Sequence, residues 1–275
     1  MNYNFKQLMQ LFNKKMKIPI YYIDAFTDTL FSGNPAAVIF SDINDGDLMQ
    51  KIAQENNLSE TAFIREESGK HFIRWFAPSC EIDLCGHATL ASAFVYFNFI
   101  NKSADEFTVH SKINGQLKVN VGGDLLLLDF PKDTLRKNSM HEEILEVLGV
   151  PPIELYEGRD DILAILDNEA LVRGIKPDFS LLKNINKRGL IVSAEGSDCD
   201  FVSRCFFPST GVDEDPVTGS AHTTLTPYWS KKLGKKKLHA KQLSERGGVL
   251  YCEEKNSRVV IGGKAVNYLQ GSIYL

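Results

Sequence analysis

Two short stretches of the chain carry the same pattern of small and polar residues, and that pattern suits anion binding. Gly86-His87-Ala88 and Gly219-Ser220-Ala221 each follow an acidic stretch and precede residues of helical composition. The first-turn amides of a helix lack intrahelical partners, and the helix dipole adds about half a positive charge there. A glycine at such a start lets a ligand reach the backbone without meeting a Cβ. Two starts facing each other could hold a small carboxylate and stabilise the enolate left when a proton departs from the neighbouring carbon. The chemistry indicated is proton transfer at carbon. His87 lies inside the first start, where its imidazole can donate to a substrate oxygen or relay a proton. Asp213-Glu214-Asp215 approach the second start, and Pro216 restrains the chain in a way that can aim the Asp215 carboxylate inward. Taken singly, a Gly-x-Ala, a histidine or an acidic run is more often structural; their density at both starts favours chemistry.

Facing starts call for duplicated elements, and the sequence contains a duplication. Arg74-Trp75-Phe76-Ala77-Pro78-Ser79 recurs as Arg204-Cys205-Phe206-Phe207-Pro208-Ser209, with Arg, Phe, Pro and Ser coincident. An acid and then Gly-x-Ala follows each copy, as Asp83 before Gly86 and Asp215 before Gly219. Upstream, residues 18–39 read as strand, turn and strand around Ser32-Gly33-Asn34-Pro35, residues 47–56 as a helix, and 59–64 and 71–76 as further strands. The helix from Gly86 is apolar on most faces, which predicts a buried central position. Residues 162–166 and 177–185 resemble the strand at 36–40 and the helix after it. These readings predict an α+β protein of two equivalent halves, 18–124 and 125–264, with 265–275 available to complete the first half and 1–17 as an extension.

Composition narrows the partners. A chain of 275 residues commonly forms two domains, and 43% hydrophobic with 24% charged residues is an ordinary globular balance. A net charge of −4 gives no basic excess for nucleic acid, and the lysines of 231–237 have no interleaved aromatic residues for base stacking. No apolar run approaches the roughly 20 residues of a membrane span. Residues 1–17 lack a secretory signal, so cytoplasm is the expectation; Phe5, Leu8, Met9, Leu11 and Phe12 are spaced as a short amphipathic helix. Five cysteines, an odd number without zinc-type clusters, predict neither a disulfide framework nor a structural metal.

Four motifs in order resemble the phenazine-biosynthesis PhzF-like family: Ser32-Gly33-Asn34-Pro35-Ala36-Ala37-Val38, Asn57-Leu58-Ser59-Glu60-Thr61-Ala62-Phe63, Cys85-Gly86-His87-Ala88-Thr89 and Glu214-Asp215-Pro216-Val217-Thr218-Gly219-Ser220-Ala221. The resemblance spans residues 18 to about 263. It implies the diaminopimelate epimerase-like fold: two pseudo-twofold-related half-domains, each with a mixed barrel-like sheet around a central helix. It also implies an isomerase that needs no cofactor or metal, acts on a small carboxylate-bearing substrate and forms a homodimer. By the same resemblance Glu60 is the acid/base group, with His87 and Asp215 as further catalytic groups and Ser59, Gly86, Gly219 and Ser220 at the substrate. A single carboxylate can take a proton from one carbon and return it to another if water is excluded.

Epimerases and racemases of this fold use two thiols, one from each half. Cys85-Gly86 reproduces the first thiol motif, whereas the second thiol position is Thr218, whose hydroxyl is a poor carbon base near neutral pH. Two-base epimerisation is therefore the alternative activity, and a non-catalytic small-molecule-binding or scaffold protein with the same cleft is the alternative class. Retention of Glu60, His87 and Asp215 together favours an enzyme.

Overall fold

Strands dominate the first half of the chain, which runs β1 (Lys17–Ala25), β2 (Asn34–Phe40), α1 (Gly46–Asn56), β3 (Glu60–Glu67), β4 (Lys70–Phe76), β5 (Glu81–Ile82), α2 (Gly86–Val95), β6 (Glu106–Ser111) and β7 (Gly115–Gly122). The rest begins with β8 (Leu125–Pro131), β9 (Arg136–Lys137), α3 (His141–Leu148), β10 (Glu154–Glu157), β11 (Asp161–Ile165), α4 (Glu169–Gly174), α5 (Phe179–Leu182) and β12 (Gly189–Glu195). It continues with β13 (Phe201–Phe207), β14 (Val212–Asp215), α6 (His222–Leu233), β15 (Lys237–Gln242), β16 (Gly248–Lys255), β17 (Arg258–Gly263) and β18 (Ala265–Tyr274). This computed structural model describes residues 16–113 and 115–275, so the amphipathic stretch expected at 5–12 lies outside the described residues. Among the described residues no helix is long and apolar enough to cross a membrane.

The strand pairing repeats element by element. In the first series β2 and β3 are parallel, β3 is antiparallel to β4, β4 pairs antiparallel with β5 and parallel with β6, and β6, β7 and β8 follow antiparallel. The second series repeats each relation in β11, β12, β13, β14, β15, β16 and β17. An antiparallel pairing of β8 with β17 joins the two, so hydrogen bonding is continuous across residues 124 and 125. The last strand of each series crosses over: β18 follows β17 but pairs with β1, and β9 follows β8 but pairs with β10.

The repeated hexapeptide keeps its contacts as well as its residues. Arg74 donates from Nε and Nη2 to Glu81 at 2.7 Å and lies 5.0 Å over the Phe76 ring. Arg204 donates likewise to Glu214 at 2.7 and 2.8 Å and lies 5.0 Å over Phe206. Glu81 is thus the counterpart of Glu214. Register then matches Asp215, opposite Cys205, with Ile82, opposite Trp75, while Asp83 is exposed. The match of Asp83 to Asp215 read from the sequence is therefore corrected by one residue.

Side-chain alternation divides the sheets into an inner and an outer face. Ala36, Val38, Leu163 and Ile165 turn into one core shared by both halves, where α2 and α6 contribute Leu90, Ala91, Leu225 and Trp229. The opposite faces are covered by α1, through Met49 and Ile52, and by α3 to α5, through Ile144, Val172 and Leu182. Strands β2 and β11 are buried on both faces, which is why they read as unbroken apolar runs. Nine of the ten residues of α2 are buried, in line with its all-round apolar sequence.

Candidate active site

The two glycines meet. A Cβ on Gly86 would stand 3.7 Å from Gly219 Cα, with Phe130 packed beside Gly86 and Phe26 beside Gly219. Gly86 opens α2 as expected, but Gly219 precedes α6 by three residues. Residues 219–222 form a tighter turn, in which the amides of His222 and Thr223 donate to the carbonyls of Gly219 and Ser220 at 3.0 Å. The N-cap residues of α2 and α6, Cys85 and Ala221, give no side-chain capping bond, as is also true of Met140 at peripheral α3, whereas α1, α4 and α5 are capped by Asp45, Asn168 and Asp178. Helix starts without a side-chain acceptor are open to one supplied by a ligand.

An open cleft lies over this junction, lined among others by Glu60, Cys85, Gly86, His87, Asp215, Thr218, Gly219 and Ser220. Ser59 lies in the bend before β3 and does not line the cleft. Glu60 is placed by the first residue of β3, paired with Ala36 of β2. Its Oε2 lies 2.9 Å from His87 Nε2, with the two side chains only 16% and 6% exposed. The contact is an ion pair out of line for a hydrogen bond, so Glu60 Oε2 is buried without a hydrogen-bond partner among the described residues. The His87 imidazolium offsets the charge of this buried oxygen.

Asn34, quoted in the first motif without a role, links the halves. Its Nδ2 donates to Asp215 Oδ1 at 2.8 Å and to the Val217 carbonyl at 2.9 Å, and lies 3.1 Å from His87 Nδ1. Thr218 Oγ1 donates to Asp215 Oδ2 at 2.5 Å, and Gln242 bridges Thr218 N at 2.8 Å and the Asp215 carbonyl at 2.7 Å. Asn34 and Gln242 were missed because their partners are remote in sequence; no local spacing marks them.

Burial works to lower the His87 imidazolium, but contacts with Cys85 and Glu60 overcome it and hold His87 well above its ordinary range. Burial pushes the Cys85 thiol up to about 11, with the Glu60 carboxylate acting in the same direction. The sulfur is 3.5 Å from His87 Nδ1. Glu60, Cys85 and His87 also offer an oxygen, a sulfur and a nitrogen within 4.8 Å of one another, a donor set that could hold a zinc-like ion.

Burial pushes the Asp215 carboxyl up to about 6, against the pull of His87; Glu60 adds to the rise, and the Thr218 and Asn34 bonds oppose it. Because the folded value exceeds the unfolded one, the stabilisation is full below about pH 4 and is lost as pH rises through about 6. In Asp215→Asn this dependence disappears. The wild-type minus variant difference in unfolding free energy, from urea titrations between about pH 4 and pH 6.5, is expected to fall by on the order of 2 kcal/mol. A flat difference would show that Asp215 is not desolvated as described.

The sequence matches the family described as phenazine biosynthesis-like protein over residues 23–271. It is 46% identical over 261 residues to an uncharacterised isomerase of Pseudomonas aeruginosa, covering 94% of this chain and 100% of that one. A crystal structure of a phenazine biosynthesis protein of the PhzF family from Enterococcus faecalis is 46% identical, covers 94% of this chain and 100% of its own, and superposes with a TM-score of 0.91. A probable proline racemase from Agrobacterium radiobacter, 9% identical with a TM-score of 0.61 over 93% of this chain and 92% of its own, shares the fold. With its repeated sheets and paired helix starts, the chain belongs to the phenazine biosynthesis-like protein family, as an isomerase on the diaminopimelate epimerase-like fold.

Proposed function

We propose that the enzyme moves a proton between carbons of a small cyclic carboxylate, with Glu60 as the general acid/base and no metal or organic cofactor. The observation that carries this reading is the buried Glu60 Oε2, which faces the cleft beside His87 and has no hydrogen-bond partner among the described residues. The substrate carboxylate sits at the Gly86–Gly219 junction, where backbone dipoles offset the charge that develops as the adjacent carbon loses its proton. Glu60 takes that proton as a carboxylate and returns it as a carboxylic acid to another carbon on the same face. His87 donates to a substrate oxygen, and Asp215, held by Asn34 and Thr218, fixes the second wall. Two-thiol epimerisation is disfavoured because Cys85 is the one cysteine lining the cleft and its thiol is held neutral by burial.

The test is proton NMR in heavy water with a panel of cyclic hydroxy- and amino-carboxylates, including dihydroaromatic ones. Enzyme-dependent movement of a ring proton, seen as loss of one ring-carbon signal and gain of another with or without deuterium entry, is expected for at least one member. Exchange confined to the α-carbon of acyclic amino acids would replace this reading with the epimerase one.

A further inference from the structure

Strand register shows how the two halves diverged at the reacting end of the cleft. Glu60 opens β3 opposite Ala36, and Gly189 opens β12 opposite Asp161. The repeated pairing therefore maps Glu60 onto Gly189, Ala36 onto Asp161 and Ser59 onto Arg188. A Cβ on Gly189 would lie 2.2 Å from Phe207 Cδ1 and 2.3 Å from the Phe206 carbonyl oxygen, so no second carboxylate side chain fits there. The second half presents a cation instead. Arg188 donates from Nε to Asp161 Oδ1 at 2.9 Å and from Nη2 to Asp161 Oδ2. Its guanidinium lies 5.1 Å over the Phe207 ring, and Nη2 is 3.5 Å from Ser220 Oγ, one residue from the glycine junction.

Neutralising the buried Asp161 accounts for one edge of the guanidinium only. Nη1 makes no hydrogen bond among the described residues, and the side chain keeps 37% of its exposure. Arg188 is the one arginine or lysine among the residues lining the cleft. It also lines an adjoining cavity, which shares Leu84, Arg188 and Ser220 with the cleft. The other acids of that cavity are engaged: Asp129 with Arg258 at 2.9 Å, Asp160 with Arg159 at 3.0 Å, and Asp133 with Thr224 Oγ1 at 2.8 Å.

We propose that Arg188 is a second anion-binding site in the cleft and that the substrate is a dicarboxylate, one carboxylate at the glycine junction and the other on the free edge of the guanidinium. The proposal rests on the carboxylate placement of the proposed function and extends it to substrate class. Benzoate, phthalate and isophthalate serve as rigid probes with one carboxylate or two, titrated calorimetrically into wild type, Arg188→Lys and the double variant Arg188→Gln/Asp161→Asn. The double variant leaves no orphaned buried charge, and the lysine variant keeps the ion pair while losing the planar fork. At least one dicarboxylate is expected to bind wild type about tenfold more tightly than benzoate. That preference falls at least about threefold in the lysine variant and vanishes in the double variant, with benzoate affinity held within about twofold. Equal affinity of wild type for all three probes, or a preference that survives in the double variant, overturns the assignment to Arg188. Failure of wild type to bind any probe overturns the glycine-junction carboxylate site itself, and the dicarboxylate assignment with it.

Discussion

Glu60→Gln will stop exchange of the substrate's carbon-bound proton with heavy water, a loss of at least about 10³-fold, while ligand affinity changes by less than about tenfold. Glutamine keeps the length and one acceptor of the side chain but cannot take up or return a proton. The wild-type carboxylate oxygen is already desolvated and without a hydrogen-bond partner among the described residues, so binding depends little on it and proton transfer depends on it fully. Cys85→Ser is the necessary companion. Thr218 is the second-half residue at the other thiol position and is committed to Asp215 at 2.5 Å, so no second thiol can deliver a proton from the opposite face. The serine variant is expected to retain exchange within about tenfold. A dead Cys85→Ser beside an active Glu60→Gln would reverse the mechanism in favour of a thiol base.

The second large effect is on folding. Gly189→Ala is expected to cost about 3 kcal/mol of unfolding free energy, read from the urea midpoint at constant slope. The added methyl meets both a ring carbon and a backbone carbonyl at well under contact distance, and Phe206 is fixed by its strand pairing with Leu190. Its ring also belongs to the outer core of the second half, so the carbonyl cannot retreat without disturbing that layer. A methyl placed on Gly86 meets nothing closer than 3.7 Å, so Gly86→Ala is the internal control and leaves the midpoint nearly unchanged. If both variants unfold alike, packing at Gly189 is not what confines the acid/base carboxylate to the first half.

Local patterns in the chain were sufficient for some of this. Alternation and apolar runs mark β2, β3 and β4, and the all-round apolar stretch after Gly86 marks a central helix, because burial on every face leaves no polar stripe. The hexapeptide repeat reveals the duplication because Arg74 and Arg204 each need an aromatic ring two residues on and a glutamate on the next strand. Residue types at Gly86, His87, Gly219 and Asp215 suggest anion and proton chemistry, since amides, an imidazole and a carboxylate act whatever holds them.

Only the tertiary structure decided which of these groups share a cleft and in what state. Alignment by residue type concealed that the counterpart of Asp215 is Ile82, since it favours Asp83 and strand register does not. Asn34 and Gln242 became site residues because folding brings their amides to a carboxylate and a turn far along the chain. The same is true of Arg188, which reads in sequence as one basic residue in Lys187-Arg188 and is set at the cleft by its pairing with Asp161. Nor could the displaced protonation of His87 and Asp215 be read from the chain, for it arises from lost water and neighbouring charge. Sequence specifies donors, acceptors and periodicity, which are local properties; desolvation and charge proximity belong to the packed volume and exist only once the two halves close on each other.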